Sequence, residues 1–452
     1  MFKLFNHQVQ DIEFIKKMGS TADFSDPGTA KSLKYLIVVR DQKEKALVVA
    51  PKSILQAAWG EDIMKFTPEL RYSVAYADNR EIAFEEDVDI VITNHDAVKW
   101  LAKNLDYVKT FDRMIVDEST AFKNRGTQRT NAIITLAKII PNVNILSGTP
   151  NPKSMLDLWQ QIYLVDKGAR LGKSFFAYRH AVADSRQCGP LAQHKQWFDK
   201  PGARDRVANL IQDITMRHKL EDCIDIPPNT LTELEFEMPP KLRDFYDEMQ
   251  AHALLELDKG DVSAVHAAAL AQKLLQIASG ASYLDPTDDG KDYKVLDVSR
   301  YEMVLDLVEQ REHSTVAIQW RHQRDALEVY ARKRKISYAV IDGTVKDDQR
   351  LEAVERFQDG ELQMLMLHPK SAGHGLTLTR GQTTIWASPT YNAEYFEQLN
   401  RRIYRATQTK KTETIIISAA NTLEQNIVKT LTGRLDGMSS LLTMLKSMRK
   451  VA

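Results

Sequence analysis

The feature of this sequence that most restricts its fold is the alternation of short apolar runs with segments of helical periodicity. Each run is rich in β-branched residues and ends in a polar, glycine or proline turn. Continuous apolar strands that alternate with helices are typical of parallel sheets covered by helices on both faces. The chain has 452 residues, which is long enough for two such sheets, so we predict an α/β protein with two parallel-sheet lobes. The predicted strands are Ala46–Ala50, Val88–Thr93, Met114–Val116 and Val143–Leu146 in the first series, and Thr315–Gln319, Tyr338–Ile341, Gln363–Leu367, Thr384–Ala387 and Thr414–Ile417 in the second.

The middle of the chain differs from both series. Residues 160–285 show few strand signals and are predicted to be largely helical, most clearly at Ala251–Ile277. The breaker Ile226–Asn229 is followed by an alternating run, Thr230–Met238, which predicts a strand that crosses from one lobe to the other. We therefore predict a first lobe over residues 1–228 with a helical extension from about residue 160, an inter-lobe strand and helical insertion over 229–300, and a second lobe over 301–452.

The net charge of the chain is zero, from 61 basic and 61 acidic side chains. A protein that coats nucleic acid through its overall charge would carry an excess of basic residues, so that class is excluded, whereas a local basic groove is not. Two segments depart from the balance, the acidic Asp78–Asp89 and the basic Arg401–Lys411. Taken alone, such charge runs are usually solvated faces.

Neither a membrane span nor an export signal is predicted. No run of about 18 apolar residues occurs, and the N-terminal residues lack the basic, apolar and small-residue order of a signal peptide. Cys188 and Cys223 are the only cysteines and form no metal-ligand pattern. We therefore expect a cytoplasmic protein with reduced thiols and without a membrane partner.

The segment Asp26–Ser32 precedes a run, Leu33–Arg40, that we predict to be helical despite its β-branched residues. A loop that feeds the N-terminus of a helix binds anions, because free backbone N–H groups and the positive end of the helix dipole face them. In the motif GxxxxGK[ST] the lysine contacts the β- and γ-phosphates and the hydroxyl ligates magnesium. Those roles fall here on Lys31 and Ser32.

The candidate loop departs from that motif at two positions. Ser25 and Ala30 stand where the motif has glycines. The backbone of Gly28, Thr29 and Ala30 is nevertheless predicted to line the bound phosphates. Alone this segment is a weak signal, and its weight depends on the motifs that follow.

Two carboxylates, Asp117 and Glu118, follow the predicted strand Met114–Val116. Side chains at the carboxyl ends of parallel strands lie where ligands bind in open α/β sheets. There Asp117 would hold magnesium and Glu118 would accept a proton from the attacking water. An isolated acidic pair is usually a solvated turn, but Ser147–Pro150 (SGTP) follows another strand end. The three segments in this order predict an enzyme that hydrolyses a nucleoside triphosphate with Mg²⁺, and the family resemblance below implies that this nucleotide is ATP.

These motifs resemble those of the superfamily-two helicases, and within them the Swi/Snf-type DNA translocases, over nearly the whole chain. The resemblance implies two RecA-like lobes. It implies Gln8, in LFNHQ, as the adenine contact, and Ser147 and Thr149 as residues that couple the ATP state to the grip on DNA. The block APKSIL, with Trp59 downstream, resembles one that touches the DNA backbone. The first-lobe residues implied as contacts to DNA are Lys52, Ser53, Thr93 and Asn94.

The second lobe carries three further blocks of the same resemblance: DGT at 342–344, SAGHGLTL at 371–378 and QLNRRIYRATQ at 398–408. The last block carries over Arg402 and Arg405 as arginine fingers that stabilise charge on the transferring phosphoryl group. The resemblance thus makes both arginines catalytic, together with Lys31 and Glu118. The other second-lobe residues that it implies are Ser371 and Gly373 as contacts to DNA, Gly375 as a contact to the nucleotide and Gln398 as a coupling residue.

Three positions of the second lobe depart from the family's pattern. His374, Thr377 and Arg401 stand where the family has a glycine, an asparagine and an acidic residue. These changes bear on the grip on DNA more than on ATP binding.

The most direct expectation is a DNA-dependent ATPase that moves along duplex or branched DNA and contacts mainly phosphates, so that base sequence matters little. One alternative is a strand-separating or branch-migrating helicase, for which residues 160–285 could supply a wedge. Another is a DNA-binding module that ATP regulates without productive turnover. No motif precedes residue 4 and few residues follow the last one. We therefore expect a compact monomeric motor of the bacterial or bacteriophage kind, acting in a bacterial host cell.

Overall fold

The computed structural model describes residues 4–148, 154–187, 195–223, 227–258, 264–283, 293–372, 376–405 and 407–433. The chain divides into two compact units, Met1–Ile226 and Pro227–Ala452. Each unit is built around one parallel sheet, of seven strands in the first and six in the second. The predicted α/β fold with two parallel-sheet lobes is therefore confirmed.

The first sheet has the strand order β3-β4-β2-β5-β6-β1-β9, and its paired strands run parallel. A separate antiparallel hairpin, β7–β8, lies later in the unit. The strands are β1 (Thr21–Asp23), β2 (Ala46–Ala50), β3 (Tyr72–Ala75), β4 (Ile90–Asn94), β5 (Arg113–Val116), β6 (Asn142–Leu146), β7 (Ala183–Gln187), β8 (Lys195–Asp199) and β9 (Thr215–Met216).

Helices surround this sheet. They are α1 (Asn6–Met18), α2 (Lys31–Gln42), α3 (Glu61–Phe66), α4 (Arg80–Glu85), α5 (Val98–Leu101), α6 (Leu105–Val108), α7 (Gln128–Ile139), α8 (Leu156–Asp166), α9 (Phe175–Val182), α10 (Ala203–Ile211) and α11 (Leu220–Cys223). Four short 3₁₀ turns (Lys52–Ile54, His95–Ala97, Ser119–Phe122 and Gln212–Ile214) and one π-helical turn (Leu55–Gly60) complete the unit.

Both faces of the first sheet are buried. Along β2 all five residues are inaccessible to solvent. Leu47 and Val49 belong to one apolar cluster, whereas Ala46, Val48 and Ala50 belong to another. Successive side chains of a strand point to opposite faces, so the two clusters are the cores above and below the sheet.

Helix α2 forms although β-branched residues are weak helix formers. Seven consecutive residues of this helix, Leu33–Val39, are buried. Such complete burial stabilises the helix far more than propensity opposes it. The predicted helix at Leu33–Arg40 is confirmed, and it positions the preceding loop.

The second sheet has the order β10-β17-β16-β13-β15-β14, again with parallel pairs. Its apolar residues divide between two clusters in the same way, with Met364 and Met366 in one and Leu365 and Leu367 in the other. The strands are β10 (Asn229–Phe236), β11 (Ala281–Tyr283), β12 (Tyr293–Val295), β13 (Ser314–Ala317), β14 (Tyr338–Ile341), β15 (Met364–Leu367), β16 (Thr383–Trp386) and β17 (Thr412–Ala419). The helices are α12 (Pro240–Asp258), α13 (Ala264–Ala278), α14 (Ser299–Glu309), α15 (Arg321–Lys333), α16 (Asp347–Gln358), α17 (Pro369–Ala372), α18 (Ala393–Asn400) and α19 (Leu423–Leu431).

The strand expected to cross between the lobes is β10, and it belongs to the second sheet. It pairs with β17 along its whole length, from Asn229 opposite Thr412 to Phe236 opposite Ala419. Among the residues of β10 only Phe236 is buried, which agrees with its position at the edge of the sheet. The boundary between the units falls just before it, so the segment 229–300 lies in the second unit.

The segment 160–285 is less uniformly helical than its sequence suggests. Helices α8 to α13 fall within or overlap it, but so does the hairpin β7–β8. Four of the five residues of β7 are exposed, so the hairpin lacks the apolar pattern that identifies a strand. No helix in the described ranges is long and apolar enough to cross a membrane.

Candidate nucleotide site

A loop with two left-handed residues joins β1 to α2. Gly28 has φ +91°, and Ala30 has φ 55° and ψ 51°, immediately before Lys31 begins the helix. The left-handed region costs a residue with a Cβ roughly 1–2 kcal/mol. The geometry therefore explains why the corresponding motif has glycine where this chain has Ala30.

The Lys31 ammonium is held by the loop itself. It donates to the backbone carbonyls of Ser25 at 2.7 Å and Asp26 at 3.1 Å. Burial lowers the pKa of Lys31, against the opposing effect of the carboxylates of Asp23, Glu118 and Asp117. The lysine and the acidic pair that were predicted from separate segments thus share one electrostatic environment. A bound phosphate would replace the two carbonyls as the partner of this ammonium.

The sheet order accounts for this environment. β5, which precedes the acidic pair, is separated from β1 by a single strand, β6. Because these strands are parallel, their carboxyl ends meet at one edge of the sheet. The loop after β1, Asp117 and Glu118 after β5, and Ser147 after β6 all lie at that edge.

The two predicted magnesium ligands are each held by the segment that follows β2. Ser32 donates its hydroxyl to the carboxylate of Asp62, and the Trp59 indole donates to Asp117 Oδ2 at 3.0 Å. Asp117 Oδ1 accepts the Glu118 amide at 2.9 Å. Burial raises the pKa of Asp117, while the Trp59 hydrogen bond and Lys31 oppose that shift. One segment therefore orients both ligands.

The residues present fit Mg²⁺. This ion takes oxygen ligands and is usually bound through one or two protein groups together with waters and substrate phosphates. The hydroxyl of Ser32 and the carboxylate of Asp117 are such ligands. Among the described residues no group of three or more His, Cys, Asp or Glu side chains could hold a metal.

Glu118 occupies a left-handed backbone conformation, with φ 49° and ψ 55°, at the start of the turn Ser119–Phe122. Such strain in a residue that is not glycine occurs preferentially at functional sites. The conformation turns the chain sharply after β5. It brings the Glu118 carboxylate into the electrostatic environment of Lys31.

Ser147 and Gly148 pack against the phosphate loop. The Ser147 amide donates to the Asp23 carbonyl at 3.0 Å. A Cβ on Gly148 would lie 2.7 Å from Cδ of Pro27, so the close approach requires glycine. This contact gives the SGTP segment a direct mechanical link to the loop. Thr149 lies outside the described residues.

Sequence reasoning missed a buried ion cluster that anchors the loop. Lys34, on α2, pairs with Asp11 and with Asp23, each at 2.6 Å, and His218 contacts Asp11 at 2.9 Å. Burial raises the pKa of Asp23, but Lys34 and Lys31 outweigh that effect and leave the pKa below its usual range. A run of apolar residues around Lys34 hid this charge inside a predicted helix.

The side chain of Gln8 is buried at the start of α1. It is 2% exposed, and its Oε1 accepts the Phe5 amide at 2.9 Å, which caps α1. A neighbouring cavity of about 550 Å³ is lined by Leu4, Phe5, Asn6, His7, Asp222 and Cys223. The predicted adenine contact by Gln8 would therefore require a change at the start of α1.

His7 links this cavity to the phosphate loop. Burial lowers the pKa of His7, and the backbone of Thr29 opposes that shift. The Phe5 ring stacks beside it, with centroids 5.9 Å apart. The rings of Phe5 and His7 both line this cavity, and the role of Gln8 as the adenine contact stays a prediction.

The structure does not support Thr93 as a contact to DNA. It is inaccessible to solvent, and its hydroxyl donates to the Ala75 carbonyl of β3 at 3.0 Å. Asn94 is partly exposed, and its side-chain oxygen caps the turn His95–Ala97 by accepting from backbone N–H groups. Lys52 is exposed, whereas the side chain of Ser53 lies outside the described set.

His95, which the sequence did not single out, connects this turn to the acidic pair. Its Nε2 lies 2.8 Å from the carbonyl oxygen of Asp117. Burial lowers the pKa of His95 to about 4. The ring is therefore neutral near pH 7, and because the Asp117 carbonyl accepts, Nε2 carries the proton. The segment after β4 thus fixes the backbone of the predicted magnesium ligand.

In the second unit the two predicted arginine fingers are held differently. Arg402 is 4% exposed, and its guanidinium lies 3.5 Å from the Leu376 carbonyl. Arg405 is partly exposed and donates to the Thr377 hydroxyl at 2.5 Å. Thr377 stands where the family has asparagine, and it still supplies an oxygen for this arginine. Arg405 is the more accessible of the two.

Two glutamines of the same block serve the fold. Gln408 donates through Nε2 to the carbonyls of Thr379, Gly381 and Ile403, at 3.0 to 3.1 Å. Gln398 is buried and donates to Glu394 at 3.3 Å. These contacts explain Gln408 structurally, whereas the buried Oε1 of Gln398 has no hydrogen-bond partner among the described residues. The coupling role of Gln398 stays a prediction. Gly373 and Gly375 lie outside the described residues.

Ser371 lines a second cavity, of about 480 Å³, in the second unit. The cavity lies at the carboxyl ends of β13, β14 and β15, where ligands bind in parallel sheets. Sequence reasoning missed most of its lining, including Trp320, Arg321 and Lys370. Arg324, also in the lining, is neutralised by Asp342 at 2.7 Å.

A lysine-bearing loop between a strand and a helix, with an acidic pair two strands away in the same parallel sheet, defines a P-loop ATPase. The sequence patterns of two known families match the chain: the SNF2-related domain over residues 9–280, and the helicase conserved C-terminal domain over residues 299–407. The first match covers more than half of the chain. The chain therefore belongs to the SNF2-related family.

Similar proteins come from several sources. "Putative protein p41" of Acyrthosiphon pisum secondary endosymbiont phage 1 is 28% identical over 85% of this chain and 83% of its own length. The "Putative ATP-dependent helicase/translocase YwqA" of Bacillus subtilis is 24% identical over 92% of this chain, which spans 46% of that protein. The "Probable ATP-dependent DNA helicase CHR12" of Arabidopsis thaliana is 23% identical over 95% of this chain, which spans 40% of that protein.

A solved structure also matches. It is the Sulfolobus solfataricus SWI2/SNF2 ATPase core in complex with double-stranded DNA, with a TM-score of 0.44, 19% identity, and coverage of 96% of this chain and 91% of the other.

Proposed function

We propose that this chain couples ATP hydrolysis to movement along duplex or branched DNA, without a requirement for strand separation. The observation that carries the proposal is the shared environment of Lys31, Asp117 and Glu118 at one sheet edge in a member of the SNF2-related family. The names of its relatives, which include helicases and translocases, support the same proposal.

The chemistry follows from the loop and the acidic pair. Phosphate oxygens take the place of the Ser25 and Asp26 carbonyls on the Lys31 ammonium. Ser32 and Asp117 would hold Mg²⁺, which would supply Lewis-acid neutralisation of charge on the phosphates. Glu118 accepts a proton from the attacking water.

The proposal also includes the two arginines that the family resemblance implies as arginine fingers. Arg402 and Arg405 stabilise charge on the transferring phosphoryl group, a contribution worth roughly 10³–10⁵ in turnover where it has been measured. Arg405, which is partly exposed whereas Arg402 is buried, is the better candidate.

Contacts to DNA are made mainly to phosphates. Lys52, Asn94 and Ser371 remain candidates because each is at least partly exposed. Counterion release then makes affinity fall steeply with salt, whereas base sequence matters little. We further propose that the protein acts as a monomer. We also propose that it acts in a bacterial host cell, and the similar phage protein supports that location.

The test is the ATPase rate measured in parallel with no nucleic acid, single-stranded DNA, blunt duplex, forked DNA and RNA. The proposal expects stimulation by blunt duplex, which Lys31→Ala abolishes while circular dichroism stays unchanged. Hydrolysis without stimulation by any DNA would refute the motor. Binding of ATP and DNA without hydrolysis would favour a nucleotide-regulated binding module.

A further inference from the structure

An aromatic and arginine cluster lies on the first unit away from the phosphate loop. We call it the α9 patch and define it as Arg125, Phe175, Phe176, Arg179 and Trp197. Phe175, Phe176 and Arg179 lie on α9, and Trp197 lies on β8 of the hairpin. None of these residues belongs to a motif that the family resemblance assigns.

The rings and guanidinium groups of the patch are interleaved. Arg125 lies 4.6 Å from the ring centroid of Phe175 and 5.1 Å from that of Phe176. Arg179 lies 5.2 Å from the Phe176 centroid and 3.9 Å from that of Trp197. Phe176 is thus flanked by two cations, and 57% of it is exposed. An exposed aromatic ring between two arginines has no role in the core.

The charge of the patch is not compensated. Among the residues that the structure describes, neither Arg125 nor Arg179 has an ion-pair partner. The surrounding segment, residues 173–204, carries six basic and two acidic side chains in a chain whose net charge is zero. An anionic partner is therefore the one that this surface fits.

We propose that the α9 patch is a stacking platform for unpaired bases of a DNA strand, with Phe176 as the contacting ring and Arg125 and Arg179 as partners for the flanking phosphates. A nucleic acid strand offers both chemistries in alternation, because every base has a π-face and every linkage a negative charge. The inference rests on the proposed function and specifies its substrate as branched DNA that carries an unpaired strand.

The opposite face of the hairpin provides a matched control. Phe198 alternates with Trp197 along β8, so its side chain points to the other side. It is 40% exposed and lies under a single arginine, Arg186, at 5.1 Å. Phe198→Ala therefore removes an exposed phenylalanine ring from the hairpin and leaves every residue of the patch unchanged.

The experiment measures affinity by fluorescence anisotropy, without ATP, for blunt duplex, a forked duplex and a single strand at one salt concentration. Stacking contributes roughly 1–3 kcal/mol per base, so Phe176→Ala should weaken binding to the fork and the single strand about 5- to 100-fold. Its affinity for blunt duplex should stay within about twofold of the parent, and Phe198→Ala should change all three affinities within the same limit. Arg125→Ala should lower affinity for the fork and reduce its salt dependence.

Unchanged affinity of Phe176→Ala for all three DNAs overturns the platform and leaves the patch as a surface for an acidic protein. Equal losses on fork and duplex also overturn it, since they show a general contact to the backbone. The failure of the proposed motor is distinguishable, because it appears in the ATPase of the parent and not in these binding differences.

Discussion

Ala30 is strained where glycine would not be. Its left-handed conformation, φ 55° and ψ 51°, costs roughly 1–2 kcal/mol for a residue with a Cβ. The strain lies between Gly28 and Lys31, in the loop that receives the phosphates. The loop nevertheless keeps a shape in which the Lys31 ammonium points to the carbonyl groups of the loop itself.

The first prediction concerns this strain. Ala30→Gly relieves this strain. It also lowers the stability of the fold by about 0.5–1 kcal/mol, because glycine gives the unfolded chain more conformational freedom. The melting temperature should stay level or rise slightly, and affinity for ATP should not fall. Ala30→Val, which places a β-branched residue in the same conformation, should be clearly less stable. Weaker ATP binding by Ala30→Gly would show that the methyl group contributes to the site.

At the level of elements, the segment after β2 determines how the predicted magnesium ligands are oriented. Its π-helical turn, Leu55–Gly60, ends next to α3, and such turns occur often at functional sites. Trp59 reaches Asp117, and Asp62 reaches Ser32. The family resemblance suggested contacts to DNA for this block, whereas Trp59 is 1% exposed and bonds inward.

The second prediction tests Trp59 as a positioning residue. Trp59→Phe keeps an aromatic ring but removes the donor to Asp117. Loss of such a hydrogen bond behind a metal ligand typically lowers metal affinity 10–100-fold. Binding of a fluorescent ATP analogue should weaken in the presence of Mg²⁺ and stay unchanged in its absence. Trp100→Phe, in a different core cluster, is the control. Equal binding by Trp59→Phe and parent with Mg²⁺ would contradict the role.

The elements that the sequence did not reveal share a physical cause. β1 has only three residues, two of them polar, and is buried through the Asp23–Lys34 ion pair rather than through apolar side chains. The hairpin β7–β8 is mostly exposed on its first strand. Apolar periodicity identifies neither kind of strand. Long runs such as those of β2 and β15 are buried on both faces and were predictable for that reason.

The residues of the candidate site also divide into those that the sequence could predict and those that it could not. Lys31, Asp117 and Glu118 were predictable because their residue types and their places at strand ends follow local rules. The contacts of Trp59 and His95 with Asp117 were not predictable, because Trp59 lies 58 residues and His95 lies 22 residues from Asp117 in the sequence. Gln8 and Thr93 were assigned by motif, and burial of their side chains became visible only in the fold.

At the scale of the whole molecule, stability should depend on pH through buried histidines. In the second unit His322 is 2% exposed. It bonds the Ser279 hydroxyl at 3.0 Å and the Tyr283 hydroxyl at 3.1 Å. Burial lowers the pKa of His322 from 6.5 to about 4. Because the folded pKa lies below the unfolded one, the stabilisation is complete above about pH 6.5 and is lost as the pH falls toward about 4.

The third prediction follows from this shift. The free energy of unfolding should be about 2 kcal/mol lower at pH 5 than at pH 7. At pH 5 the unfolded chain binds a proton at His322, whereas the folded protein excludes it. His322→Gln removes that dependence. Urea unfolding of parent and variant at both pH values measures it, and the loss between pH 7 and pH 5 should be smaller in the variant. Equal losses would mean that His322 titrates normally in the fold.

The central claim is that ATP hydrolysis at the loop bearing Lys31 moves the protein along duplex DNA. The most direct measurement is displacement of a third strand from a blunt duplex, followed with ATP, without ATP and with Glu118→Gln. We expect displacement by the parent only with ATP and no separation of the duplex strands. We expect a rate at least 10²-fold lower for Glu118→Gln, because its general base is gone. Hydrolysis of ATP by the parent without displacement of the third strand, or displacement that proceeds equally in Glu118→Gln, would contradict it.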